Sequence, residues 1–208
     1  MTFFKVTIRP LTTSADSSGV LIGSLGTTST TGDDIFIGIV DGGGTTDTLT
    51  AADTINGGSG TADTLNITAI GTTIADVTQG ANITGIEVIS VRNTVATGVI
   101  MGLSATGLTG VTMLGIGDTT VTNMATGVAL STSSTGAAIL SQGYAAAATS
   151  AVTNIAGGSA LGTVTYVGAG LTGVTINTTG TTASTAGAVD VVAAAAININ
   201  AASNLTVT

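Results

Sequence analysis

The chain has no histidine, cysteine or tryptophan, one proline, two tyrosines and three phenylalanines in its 208 residues. Without His or Cys, neither a Ser-His-Asp triad, a thiol nucleophile nor a zinc site of the usual N/S type can be built. The lack of cysteine leaves the redox compartment open. The only cations are Lys5, Arg9 and Arg92, too few to track a phosphate backbone, so nucleic acid is not an expected partner. Charged residues make up 7% of the chain, against about 25% in an ordinary soluble domain, which argues against a soluble helical bundle. The longest apolar run, 191–197, has seven residues, where a membrane-spanning helix needs about 20. No membrane insertion is expected. The first ten residues alternate instead of forming a continuous apolar stretch, a poor secretory signal.

What is present is small and β-branched. Hydrophobic residues make up 43% and the mean hydropathy is +0.63, too apolar for a disordered chain. There are 31 Gly and 44 Thr. Short alternating runs recur at 86–91, 111–113, 163–167, 174–176, 197–200 and 205–208, each bounded by Gly, Asn, Thr or Ser. Such runs predict an all-β protein, a parallel β-helix or β-solenoid, with a β-sandwich as the alternative. Two internal similarities support repetition. Residues 120–130 align with 151–161 at seven of eleven positions, a spacing of 31, and Leu-Thr-Gly-Val-Thr begins at both Leu108 and Leu171. The Ala tracts 145–148 and 193–196 are too short for helices and are expected to stack as buried small residues.

Charge divides the chain into three parts. Residues 1–31 read as a strand and a Ser/Thr/Gly linker, 32–80 as an acidic Gly/Asp-rich segment, and 81–208 as a nearly uncharged β-solenoid. Seven of the eleven acidic residues lie between Asp33 and Asp76, whereas from Asn93 onward only Asp118 and Asp190 are charged.

The acidic part carries the strongest chemical signal. Gly57-Gly58-Ser59-Gly60-Thr61-Ala62-Asp63 approaches the repeat G-G-x-G-x-D of calcium-binding β-rolls, with one extra residue before the Asp. Gly32-Asp33-Asp34-Ile35-Phe36-Ile37-Gly38, followed by Asp41 and Gly42-Gly43-Gly44, is a partial second copy. Calcium takes six to eight oxygens, which carboxylates and turn carbonyls supply, and glycine permits the close turns. Asp33, Asp34, Asp41, Asp47, Asp53 and Asp63, with Gly57, Gly58 and Gly60, are therefore the candidate calcium ligands. The simpler reading makes these residues ordinary turn formers. Ile35, Ile37, Ile55 and Leu65 are expected to point inward after the turns.

Gly32-Asp-Asp-Ile-Phe-Ile-Gly38, then Asp53-Thr-Ile-Asn-Gly-Gly-Ser-Gly-Thr-Ala-Asp-Thr-Leu-Asn66, then Ile83-Thr-Gly-Ile-Glu-Val-Ile-Ser-Val91 and a long Thr/Ala/Gly/Val tract resemble the succession in bacterial surface-layer proteins of the RTX type. The resemblance covers residues 27–180. It implies an extracellular, calcium-dependent protein that assembles with copies of itself at the cell surface, beside surface polysaccharide, and leaves the cell by type I secretion without an N-terminal signal. A filament or matrix fibre is as compatible with so short a chain as a flat layer.

In the first ten residues, Phe4, Val6 and Ile8 fall on one face and Phe3, Lys5, Thr7 and Arg9 on the other, with Pro10 ending the strand. This strand either packs on its own core or adds to the next subunit by β-augmentation. In the second case Phe3, Phe4, Lys5, Val6, Ile8 and Arg9 form the interface. Enzymatic activity is not expected, because no pair of cleft carboxylates or aromatic subsites is apparent. The expected function is a secreted structural protein that self-assembles with calcium. The alternative is a monomeric adhesin, carbohydrate-binding or ice-binding module, although Thr-x-Thr runs at 28–30, 120–122 and 163–165 keep no fixed spacing.

Overall fold

The computed structural model describes residues 7–11, 32–43, 46–94, 99–102, 107–192 and 196–208. Their strands, in chain order, are β1 (Thr7–Pro10), β2 (Asp34–Gly42), β3 (Thr54–Asn56), β4 (Thr64–Gly71), β5 (Asn82–Thr84) and β6 (Val88–Asn93). There follow β7 (Val99–Gly102), β8 (Gly110–Gly115), β9 (Thr119–Met124), β10 (Ala129–Ser133), β11 (Ala138–Tyr144) and β12 (Ser150–Ala156). The series ends with β13 (Ala160–Val167), β14 (Gly173–Thr179), β15 (Ser184–Val191), β16 (Ala196–Ala201) and β17 (Leu205–Val207).

Every named strand pair is parallel, and from β2 onward consecutive strands fall into different sheets. The main sheet has nine strands in the order β1-β2-β4-β6-β8-β10-β12-β14-β16. The opposite sheet has six, β17-β15-β13-β11-β9-β7, and β3 and β5 make a third, two-stranded sheet. This is a parallel β-solenoid. The sandwich alternative would need antiparallel pairs, and the named strands form none.

Register turns the sequence into columns that run along the solenoid. Phe36, Leu65, Ile89, Val111, Leu130, Thr153 and Ile176 stack in successive coils of the main sheet and are all buried. Burying a side chain such as Leu65 contributes about 1.5–3 kcal/mol, so each column supplies substantial stabilisation from modest residues. The neighbouring outward column is polar: Asn66, Ser90, Thr112, Ser131, Asn154, Asn177 and Asn200. Its upper members form an amide ladder, in which Asn177 Nδ2 donates to Asn154 Oδ1 at 2.9 Å and Asn200 Nδ2 to Asn177 Oδ1 at 3.0 Å.

The coil length differs from the sequence repeat. Equivalent residues of the main sheet lie 23 apart from β10 to β16. The 31-residue similarity instead aligns β9 of the six-stranded sheet with β12 of the nine-stranded one, so it relates two kinds of strand and not two coils. The two Leu-Thr-Gly-Val-Thr segments do lead into equivalent strands, β8 and β14.

The phase of β2 also differs from expectation. Phe36, Gly38 and Val40 face inward, while Ile35 is half-buried and Ile37 exposed. Gly38 leaves room for Leu11 and Leu49, which an ideal Cβ there would approach to 3.1 Å. The largest side chain therefore takes the core position. Ile55 and Leu65 point inward as expected. Residues 145–148 form a turn with only Ala148 buried, so they round a corner instead of stacking in the core. Of the second Ala tract, 193–195 lie outside the described residues and Ala196 begins β16.

One buried polar cluster interrupts the apolar interior. Tyr144 Oη and Thr153 Oγ1 each donate to Gln142 Oε1 at 3.0 Å, and Tyr166 Oη donates to Thr153 Oγ1 at 2.9 Å. Burial raises the pKa of both phenols, which therefore remain neutral donors.

Candidate cation site at the acidic corner

Each coil of the main sheet is entered at a corner residue, and in the first coils that residue is acidic. Register places Asp34 over Asp63 and Asp63 over Glu87, one step before the pairs Ile35–Thr64 and Thr64–Val88. The Asp63 and Glu87 carboxylates each reach to the coil before them. Asp34 N donates to Asp63 Oδ1 at 2.5 Å, and Asp63 N donates to Glu87 Oε2 at 2.8 Å. Asp33 reaches the other way, its Oδ1 accepting from Thr61 N and Ala62 N at 3.1 Å each. The carboxylates thus fix the register of three coils through charge-assisted bonds. In the later coils neutral residues serve at the same corner: Thr109 Oγ1 donates to Glu87 O at 3.2 Å, and Thr172 Oγ1 to Thr149 O at 3.1 Å.

Asp63 is the centre of this corner. It is 0% exposed. Its Oδ2 is buried without a hydrogen-bond partner. Burial raises its pKa, the Asp34 N–H acts in the opposite direction, and the negative charges of Glu87, Asp34 and Asp33 raise it further. The glycine turn is shaped around this side chain. A Cβ on Gly60 would lie 2.5 Å from Asp63 Oδ2, and one on Gly57 would lie 2.7 Å from Asp63 Cβ and 1.9 Å from Gly85 O. Gly58, between them, has φ +92° and donates to Asn56 Oδ1 at 2.9 Å.

The other candidate ligands lie elsewhere. Asp53, also buried, caps its own turn by accepting from Thr50 N through Oδ2 at 2.6 Å. Asp41 and Asp47 meet at the far end of β2, where Asp41 N donates to Asp47 Oδ1 at 2.5 Å and Thr46 Oγ1 donates to Asp41 Oδ2 at 2.7 Å. With Asp76 they line an open cleft of ≈520 Å³ that also includes Gly42, Gly43 and Gln79. Asp76 Oδ1 is engaged by Thr78 N and Thr78 Oγ1 at 3.0 and 2.7 Å.

The structure therefore brings Asp33, Asp34 and Asp63 to one corner with Gly57, Gly58 and Gly60, and separates Asp53 and the Asp41–Asp47 pair from it. Among the described residues, no three carboxylates converge closely enough to hold a metal ion by side chains alone. Oxygen-only donors, stacked negative charge and the unpartnered Asp63 Oδ2 fit a hard cation completed by backbone carbonyls and water. Glu87 belongs to this corner although the ligand set read from the sequence omits it. Its signal is positional: Asp34, Asp63 and Glu87 each stand immediately before an alternating run.

Of the candidate interface residues, Phe3, Phe4, Lys5 and Val6 lie outside the described residues. Ile8 and Arg9 belong to β1, which pairs with β2 of its own chain, and Ile8 is exposed. Leu11, the residue after β1, is buried in the core and donates its N–H to Ile37 O at 2.7 Å.

Comparison with known protein families, characterised proteins and solved structures finds no match to this chain.

Proposed function

We propose that this chain is a non-catalytic structural subunit that assembles with copies of itself outside the cell, into a surface layer or filament, with calcium bound in its acidic coils. The observation that carries this reading is the surface of the later coils. From Gly110 onward only Asp118 and Asp190 are charged, and the outward columns are mostly Ser, Thr, Asn and Ala, with Leu114 and Val152 half-buried among them and Ile116, Ile139 and Val167 exposed beside them. Soluble proteins are kept apart by interspersed surface charge. This face has almost none, so contact with an identical face meets no electrostatic opposition and removes apolar surface from water.

Calcium would act through the corner. It would neutralise Asp33, Asp34, Asp63 and Glu87, satisfy Asp63 Oδ2, and couple binding to the folding of the first coils. Assembly would then depend on external calcium. Cell-surface polysaccharide is a second candidate partner within the same reading.

Negative-stain microscopy of the purified chain in millimolar calcium, and again in excess chelator, tests both parts. Ordered sheets or fibres that dissolve on chelation are expected. Monodisperse single solenoids in both conditions would overturn assembly and favour a monomeric glycan- or ice-binding module.

A further inference from the structure

The buried cluster around Gln142 lies away from the acidic corner and takes no part in the proposed assembly. Gln142 belongs to β11 of the six-stranded sheet, where it stacks between Val121 and Tyr166. Thr153 belongs to β12 of the nine-stranded sheet, where its column neighbours are Leu130 and Ile176. One coil therefore sets an amide and a hydroxyl face to face across the interior, at a level where the coil before it sets Val121 and Leu130. Gln142, Thr153 and Tyr166 are each 0% exposed, and Tyr144 is buried.

Buried polar groups are normally all hydrogen-bonded. Here the amide is engaged on one side only. Gln142 Oε1 accepts from both Tyr144 Oη and Thr153 Oγ1 at 3.0 Å, whereas Gln142 Nε2 is buried and makes no hydrogen bond. Two donors on the oxygen polarise the carbonyl and leave Cδ electrophilic. The Thr153 hydroxyl stands beside it. A carbonyl bond is about 1.2 Å long, so Oγ1 is no more than about 4.2 Å from Cδ, and side-chain rotation closes that gap. Burial raises the Tyr166 pKa, and the neighbouring Thr153 hydroxyl and Gln142 amide partly oppose it, so the phenol lies against both groups.

We infer that Thr153 Oγ1 and Gln142 Cδ join in an intramolecular ester that ties the two sheets together. Oγ1 attacks Cδ, the new C–O bond forms, the Cδ–Nε2 bond breaks, and the nitrogen leaves as ammonia with the Thr153 proton. Nothing is oxidised or reduced, and no co-reactant is needed. Tyr144 Oη, already on Oε1, steadies the negative charge that develops there. Hydroxyl hydrogens rotate to suit their neighbours, so the Thr153 proton turns to Tyr166 Oη as that phenol passes its own to Nε2. Such a relay leaves the phenol neutral throughout, in keeping with its burial. The product loses the unpartnered amide nitrogen, and the dry interior shields the ester from hydrolysis. Ammonia diluted into solvent does not return, by mass action.

The bond changes the mass of the chain, which reports it without any variant. The intact purified chain should weigh about 17 Da less than the sum of its residues, the mass of one ammonia. Unfolding the chain and cutting it after Tyr144 should leave the pieces that carry Gln142 and Thr153 joined, and mild alkali should then part them. A chain of full mass, or pieces that separate without alkali, would overturn the ester. Separation without alkali also exposes ammonia lost elsewhere, as from Asn56 beside Gly57. Thr153→Val and Gln142→Met should each keep the full mass of their sequences, and the same loss from either contradicts the assignment. In freshly synthesised chain, Tyr166→Phe should slow the mass loss by at least ~10-fold without abolishing it. An unchanged rate would overturn the relay.

Discussion

The coils up to Asn93 and those from Gly110 onward perform the same folding task with different chemistry. The earlier coils are irregular in length: corner residues lie 29 apart between Asp34 and Asp63, 24 between Asp63 and Glu87, and 22 between Glu87 and Thr109. Carboxylates hold them in register, and one of these is buried with an unpartnered oxygen. After a 19-residue step from β8 to β10, the later coils of the main sheet keep a 23-residue spacing, held by Thr hydroxyls on carbonyls, an Asn ladder and apolar columns, together with Asp118 Oδ1 accepting from Ile139 N at 2.8 Å. Register fixed by charge responds to pH and cations. Register fixed by neutral hydrogen bonds and packing does not.

The largest expected break in this comparison is steric. Gly57→Ala places a Cβ 1.9 Å from Gly85 O and against Asp63, which should destabilise the early coils by about 3 kcal/mol or more, a fall of roughly 10 °C in Tm. Gly187→Ala, in the later coils, meets nothing nearer than 3.5 Å and should stay within about 0.5 kcal/mol. Parallel thermal melts of the two variants check the contrast.

Asp63→Asn sharpens the comparison by removing charge while keeping an acceptor for the Asp34 N–H. The carboxyl is held above its ordinary range mainly by burial, so the folded chain binds that proton more tightly than the unfolded one. Its contribution to stability is full below the ordinary carboxylate range and is lost as pH rises through the folded value. In chelator at neutral pH the Asn variant should therefore be more stable than the parent, and its advantage should vanish below about pH 4. Added calcium at about 100 times its Kd should stabilise the parent by about 2.7 kcal/mol and the variant much less. Melting curves across pH, with and without calcium, check both signs.

Smaller effects are expected in the neutral coils, and none should depend on calcium. Tyr166→Phe removes the donor to Thr153 Oγ1 in the buried cluster and should cost about 1 kcal/mol in denaturant titration. Asn177→Ala interrupts the half-buried ladder between Asn154 and Asn200 and should cost about 0.5 kcal/mol, read the same way.

Much of the fold was legible in the sequence because each coil is built from short alternating runs closed by turn residues, and β8, β13, β14, β16 and β17 fall where those runs do. The coil length was not. Columns of like polarity need no identical residues, so Asn154 over Ser131 and Ile176 over Thr153 leave little trace as sequence similarity. The phase of β2 was misread because Asp34 takes an inward position at the corner, which shifts Phe36 into the core. The acidic corner was half legible. Asp33, Asp34 and Asp63 were visible as a cluster, but Asp41 and Asp47 lie at the opposite end of β2, a separation that clustering along the chain does not reveal. The Gln142–Tyr144–Thr153–Tyr166 cluster was hidden because polar residues in an alternating strand read as outward-facing.

The most direct measurement is native-state amide exchange of the whole chain in calcium and in chelator. The account predicts that calcium adds protection in residues 32–93, greatest around Asp34, Asp63 and Glu87, and leaves the interior amides of β12 and β14 unchanged. Equal protection of all coils, or no change around Asp63, would contradict it.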